Sequence, residues 1–387
     1  MTPRYENKQI SKIWSRQCQL RLWVRWECIL PAVYHRNLST RINEAVDRLD
    51  YKRLDREMAK LEATNGHDVA AFVQALQNQL TDLGFSKELV NVIHRYPVTS
   101  SDVVDNAMMD QIRESLVVVK SLSDNLLTAL AGLTLLPGTT SSRTHGQAAI
   151  PMEANSRWKQ HHSEIERSTH WLHQLVRQLP GKVGGIDGTA TADLEIFESL
   201  SIPTDGDGDG FKPIRCTQII PRDCHARIAN ELALLASVVG RFALTVRLLS
   251  QTGINEVAEP KPQAYKGSSA MPHKHNPTIS ENASGMARLA RSYASAINES
   301  VELWLERDIS HSCVERVAWP DLFHVVCNQL ERMTHVANGL TVNSLQSLGS
   351  PVDLNYNSAK RLDELIAGGM DREQAYRQVQ DEHLPIA

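Results

Sequence analysis

Ser268 and Ser269 follow Gly267, Lys274 lies six residues beyond Ser268, and Asn276-Pro277 closes the same stretch. Small hydroxyls and one cation at the start of a helix suit an anionic ligand, because the first backbone N–H groups of a helix lack internal partners and carry partial positive charge. Asn276 is a favourable N-cap and Pro277 fits the first helical position, so a helix is predicted to begin there. The preceding residues, 259–267, hold two prolines and a glycine and are expected to form an exposed loop. Three more segments are dense in polar groups. They are Thr99-Ser100-Ser101-Asp102 with Asp105-Asn106 beyond it, Arg143-Thr144-His145-Gly146-Gln147 in a loop before a helix, and the run from Glu306 to Arg316, which sets Arg307 and Arg316 among hydroxyls. Each alone reads equally well as a helix cap or a solvated turn. All four together are more than capping requires.

The elements that must position these groups are helices. From Met109 the apolar residues Ile112, Leu116, Val119, Leu122, Leu126, Leu130 and Leu133 recur at three- and four-residue steps. Ile228, Leu232, Leu235, Val239, Phe242, Val246 and Leu249 do the same, with the 3.5-residue period of helices packed nearly parallel over a long seam. Further helices are predicted at about 152–178, 278–301 and 315–340. No period-2 strand stands out, except for short extended pieces near 185–190. The expected fold is therefore all-α, an elongated long-helix bundle in three parts. These are an N-terminal helical domain (1–98), a long-helix bundle domain (99–346), and a short C-terminal helical region (347–387), with Gly368-Gly369 as a break and Asp371 as the next cap. His161, His162, His170 and His173 fall on a polar helix face and read as surface residues. Asp205-Gly206-Asp207-Gly208-Asp209-Gly210 looks like the start of a calcium loop, but its twelfth position is Cys216, not glutamate, so a solvated turn is favoured.

Composition narrows the function classes. A net charge of −4 advertises no nucleic-acid surface, and no apolar run approaches the length of a membrane helix. The polar N-terminus has no signal-peptide core. Six cysteines lie far apart without a CxxC pair, which reads as free thiols in the cytoplasm, with no disulfide framework or metal site. No cofactor is expected.

Residues 267–277 match the signature GSSxMPxKxNP in full. On that match, together with the TSSD, THGQ and ERDISHS segments and the Arg4-Tyr5 start, the chain resembles the aspartase/fumarase superfamily, and within it most closely the adenylosuccinate lyase family. The resemblance covers nearly the whole chain. It implies a C–N lyase that releases fumarate, takes a nucleotide-sized substrate, and works as a homotetramer whose active sites draw loops from three chains. By resemblance Ser268 is the base, His145 the general acid, and Glu281 the carboxylate that orients it. Lys274 and Asn276 would hold the succinyl carboxylates. His67 sits beside the phosphate or assists the acid. Contacts to phosphate and base fall to Arg4, Tyr5, Asp68, Thr99, Ser100, Gln218, Arg307, Ser312 and Arg316. Arginine's fork suits phosphate and carboxylate well.

Some letters depart from the family pattern. Gly66-His67-Asp68 stands where Arg-His-Asp is usual, Leu305 where a histidine precedes Glu-Arg, and His275 where an arginine follows the lysine. His94-Arg95-Tyr96-Pro97 carries either an inserted residue or an arginine in place of a histidine that helps to bind substrate, which leaves His94 as the candidate. The acid, base and phosphate groups remain. A sister lyase acting on argininosuccinate or a muconate lactone, and an inactive structural bundle, are the alternatives; the arginines argue against the first, and retention of His145 with Ser268 against the second.

Overall fold

The fold is that of a computed structural model, which describes residues 1–35, 46–201, 210–214, 216–261, 270–271, 273–343 and 357–383. A one-turn 3-10 helix (Pro3–Tyr5) opens the chain. It is followed by α1 (Lys8–Ile13), α2 (Arg16–Tyr34), α3 (Tyr51–Asn65), α4 (Asp68–Asp82), α5 (Lys87–Val90) and the long α6 (Ser100–Leu133). A hairpin, β1 (Thr139–Thr144) and β2 (Gln147–Glu153), leads to α7 (Ser156–Val176). Beyond it come β3 (Pro180–Gly181), α8 (Leu194–Ser201), β4 (Lys212–Pro213) and α9 (Arg222–Leu249). The chain continues with β5 (Val257–Ala258), α10 (Thr278–Glu299), α11 (Ser310–Gly339) and β6 (Thr341–Val342), and ends in the helix pair α12 (Ser358–Ala367) and α13 (Arg372–His383).

Helix α9 packs along α10, α10 along α11, and α11 along α6, while α7 lies against α6 and α9. The seven periodic residues of α9 are all buried, as are Ile112, Leu116, Val119, Leu126, Leu130 and Leu133 of α6. One apolar core runs from Ile10 to Ala337. The all-α expectation is met. Gly369 in a left-handed conformation follows α12, and the Asp371 carboxylate accepts N–H bonds from Glu373 and Gln374 to start α13.

Several expectations need correction. His161 is buried, not on the surface: it stacks between Trp158 and Phe242, and its Nε2 lies 3.0 Å from Thr245 Oγ1. Residues 143–147 form a hairpin tip instead of a plain loop; β1 is too rich in Ser and Thr to show apolar alternation, and β2 is broken by Pro151. Residues 185–190 form a glycine turn, not a strand. By length and mean hydropathy α6 and α9 are apolar enough to cross a membrane, although no uninterrupted apolar run suggests it; both are core helices of the bundle. Helix α11 begins at Ser310, five residues before the predicted start, so Ser312 lies in its first turn.

Gly188 shows how tightly the glycine turn is held. Its φ is +79°, and an added Cβ would stand 2.0 Å from the Cys216 carbonyl oxygen. The turn therefore clamps the segment that carries Gln218 into α9. Gly188→Ala is expected to lower stability by about 1–3 kcal/mol, read as a fall in the urea midpoint with an unchanged m-value.

Candidate active site

Four helices begin at one cavity of about 380 Å³: α4 at Asp68, α6 at Ser100, α9 at Arg222 and α11 at Ser310. Each turns the positive dipole end of its first turn toward the cavity, an arrangement that suits negative charge, although side chains already cap some of the first N–H groups. Among its lining residues are six of the sequence candidates, His67, Asp68, Ser100, Arg307, Ser312 and Arg316, and also Gly66. Thr99 is the N-cap of α6, and its N–H donates to the Asp102 carboxylate. His67 caps α4: its Nδ1 accepts from the Ala70 N–H at 3.2 Å, so a neutral ring carries its proton on Nε2. Asp308 caps α11 by accepting from the Ser310 N–H and hydroxyl, and these bonds with the Trp304 N–H hold its carboxyl at about 2.

The cations here are not equally free. Arg316 donates to Asp68 at 2.5 Å, tying α11 to α4. Arg222, 3% exposed, donates both terminal nitrogens to Asp105 and reaches Glu315 as well. Burial alone would raise the Glu315 carboxyl, but His225 and Arg222 outweigh it and lower it to about 2. Burial likewise acts against Asp105, and Arg222 overcomes it, holding that carboxyl below its usual range. Arg307 makes no ion pair among the described residues. Arg222, Asp105, Glu315 and His311 also line the cavity; the last three lie in the polar segments read from the sequence but were given no role there, and Arg222 was not singled out. The signal available was Arg222-Asp223 opening a long amphipathic helix, which by itself reads as an ordinary surface start.

The remaining candidates lie away from this cavity. His145 occupies the hairpin tip with Gly146, at φ 55° and 80°, which is the type I′ geometry that a two-residue loop requires. The ring is exposed. The buried Glu256 fixes the hairpin's base by accepting from Arg143 Nη2 at 2.9 Å and from Thr140, and it pairs with Arg157 of α7. Lys274 and Glu281 are exposed, and Asn276 is half-buried. The N-cap of α10 is Pro277, one residue later than predicted, and Asn276 is not the cap. The Glu259 carboxylate accepts from the Ile279 and Ser280 N–H groups, and the residue is buried, not in an exposed loop. Arg4 and Tyr5 sit in the 3-10 helix beside α11, and half-buried Gln218 precedes α9. His94 is held by Glu27, at 2.7 Å through Nδ1 and at 2.8 Å through its backbone N–H. Burial opposes its charged form, but the Glu27 bond and charge prevail and raise its pKa. Ser268 and most of the Asp/Gly run at 205–210 fall outside the described residues.

Glu315 binds its proton more weakly folded than unfolded. It therefore contributes stability above its unfolded value of about 4.3, and that contribution is lost as the pH falls toward 2. Glu315→Gln is expected to be less stable at pH 7 and to show a flatter loss of stability between pH 5 and pH 2, followed by circular dichroism.

A family described as Lyase matches residues 34–291. An adenylosuccinate lyase of Synechocystis is 35% identical over 98% of this chain and 87% of its own length. One from Staphylococcus saprophyticus is 32% identical over the same shares. A β-carboxy-cis,cis-muconate cycloisomerase from Acinetobacter calcoaceticus, 21% identical, superposes with a TM-score of 0.77 over 97% of this chain and 86% of that one, which supports the shared fold. The helix bundle, the full signature at 267–277 and these near full-length matches lead to one conclusion: the chain belongs to the aspartase/fumarase superfamily of lyases.

Proposed function

We propose that the protein cleaves adenylosuccinate to AMP and fumarate, and the succinylated aminoimidazole carboxamide ribotide in the same manner, in purine biosynthesis. The observation that carries a phosphate-bearing substrate is the cavity at four helix N-termini, where Arg307 has no carboxylate partner among the described residues. Argininosuccinate and muconate lactones carry no phosphate to fill it.

In this reading Ser268, as its alkoxide, takes the proton from the carbon beside a succinyl carboxylate. The electron pair left on that carbon is delocalised into the carboxylate, where cationic and N–H donors stabilise it. The neighbouring C–N bond then breaks, its electrons pass to nitrogen, and His145 supplies the proton. Glu281 orients His145, and Lys274 with Asn276 grips the carboxylates. Arg4, Tyr5, Asp68, Thr99, Ser100, Gln218, Arg307, Ser312 and Arg316 hold the nucleotide, with His67 beside the phosphate. No metal or cofactor takes part.

His145, Lys274 and Glu281 do not line the cavity that holds Arg307, which supports a site completed by other copies of the chain. Apolar side chains left uncovered support the same assembly: Leu234, Leu244 and Leu248 of α9, Leu289 of α10, and Trp304 and Leu305 beside Arg307. The assembly proposed is a homotetramer, acting in the cytoplasm, where the free cysteines suit a reducing medium.

Purified protein is expected to elute at the mass of four chains and to release fumarate from adenylosuccinate, followed by absorbance. Ser268→Ala and His145→Ala are each expected to lower kcat by about 10²–10⁴-fold while remaining tetrameric. Release from argininosuccinate alone would replace the substrate. A tetramer releasing fumarate from none of them would leave a structural role.

A further inference from the structure

Two of the three cavity arginines already have carboxylates. Arg222 is taken up by Asp105 and Glu315, and Arg316 by Asp68. A phosphoryl group seated here has more acceptor oxygens than Arg307 alone can meet, so its other partners must be N–H and O–H donors in the wall.

His311 is a side chain in that wall with an unspent valence. It is the second residue of α11 and only 4% exposed, it lines the cavity, and its Nδ1 is buried with no hydrogen-bond partner. The ring's other nitrogen, Nε2, also makes no hydrogen bond among the described residues, and it is the one that burial does not seal off. The two tautomers differ in what stays unpaired. With the proton on Nδ1, a buried donor is orphaned. With the proton on Nε2, only a lone pair is orphaned, and the N–H remains available to a ligand.

We propose that His311 is a ligand of the bound phosphoryl group, donating from Nε2–H as a neutral imidazole alongside Arg307 and the Ser312 hydroxyl. The proposal rests on the nucleotide reading above and adds a contact that the resemblance did not supply. Burial and then the Arg222 guanidinium lower the pKa of the ring, and Arg307 acts in the same direction while Glu315 and Asp105 oppose it. A neutral donor is the form this setting maintains. It adds a hydrogen bond to phosphate without adding a fourth cation to a wall already crowded with ion pairs.

The test uses the full-length protein, with His311→Leu to remove the donor at similar volume and His311→Asn to keep an N–H donor. KM for adenylosuccinate and the inhibition constant of inorganic phosphate are measured for all three proteins. The expectation for His311→Leu is a rise of about tenfold in both constants, the scale of one hydrogen bond to a charged group, with kcat within twofold of the parent. His311→Asn is expected to recover most of the loss. Unchanged constants in His311→Leu would overturn the proposal and leave the nucleotide reading intact, since the parent would still turn over and still bind phosphate. Equal losses of kcat and thermal stability in both variants, without recovery by asparagine, would also overturn it and assign His311 to packing. A parent protein indifferent to phosphate and to adenylosuccinate would sink the nucleotide reading itself, and the proposal with it.

Discussion

The Arg222 guanidinium is the constraint on which the site depends. It sits at the start of α9 and reaches Asp105 in the second turn of α6 and Glu315 in the second turn of α11, fixing the starts of three helices at one point. The Ile220 N–H donates to the same Asp105 carboxylate, so the chain entering α9 is held as well. A buried arginine with two carboxylates is no simple gain in stability, because removing three charges from water is costly and close pairing only offsets it. What the arrangement secures is geometry. The four helix dipoles can act together on one ligand only if their ends stay within a few ångströms of it.

A second constraint operates at β5, where two buried carboxylates lie three residues apart. Glu256 grips the hairpin whose tip is His145, and Glu259 caps α10, whose first turn carries Glu281. One short strand thus anchors the proposed acid and the proposed orienting carboxylate, just upstream of the segment that bears Ser268. The proposed catalytic groups and the cavity therefore rest on separate supports within one chain. That separation agrees with the proposed assembly, in which other copies would cover the exposed apolar residues of α9 and α10.

The helices were legible because their apolar spacing records burial directly: every periodic residue of α9 is in the core. The signature at 267–277 was legible only as a match to a known family pattern, because its hydroxyls, cation and helix start read equally well as a plain loop-to-helix junction. Other features depend on contacts that spacing cannot encode. His161 looked exposed beside its polar neighbours, yet Trp158 and Phe242 enclose it. The hairpin at 139–153 is held by its I′ turn and by Glu256, more than a hundred residues away, and neither the Ser/Thr-rich β1 nor the proline-bearing β2 shows apolar alternation to reveal it. Arg222 and His311 gain their meaning only when four separate helix starts converge, and no local window of sequence contains more than one of those starts.

Gly66 shows how a change in local backbone bears on substrate charge. It is the left-handed C-cap of α3 at φ 68°, where glycine is free of the Cβ penalty, and an added Cβ there would meet nothing within 4 Å. An arginine would fit in space but not comfortably in backbone, so the glycine trades a cation at the cavity rim for an unstrained turn. Two residues on, Asp68 takes Arg316, and the cation that remains uncommitted is Arg307. Leu305, in the left-handed region at φ 47° and 95% exposed, lies two residues before Arg307. A bulky residue in that conformation is held at a cost of order 1–3 kcal/mol. The strained turn at Leu305 therefore sits beside the cation with the most freedom to meet the substrate. With a glycine at the cavity rim and Arg222 and Arg316 already paired, the nucleotide proposed above would depend on Arg307 for fixed charge.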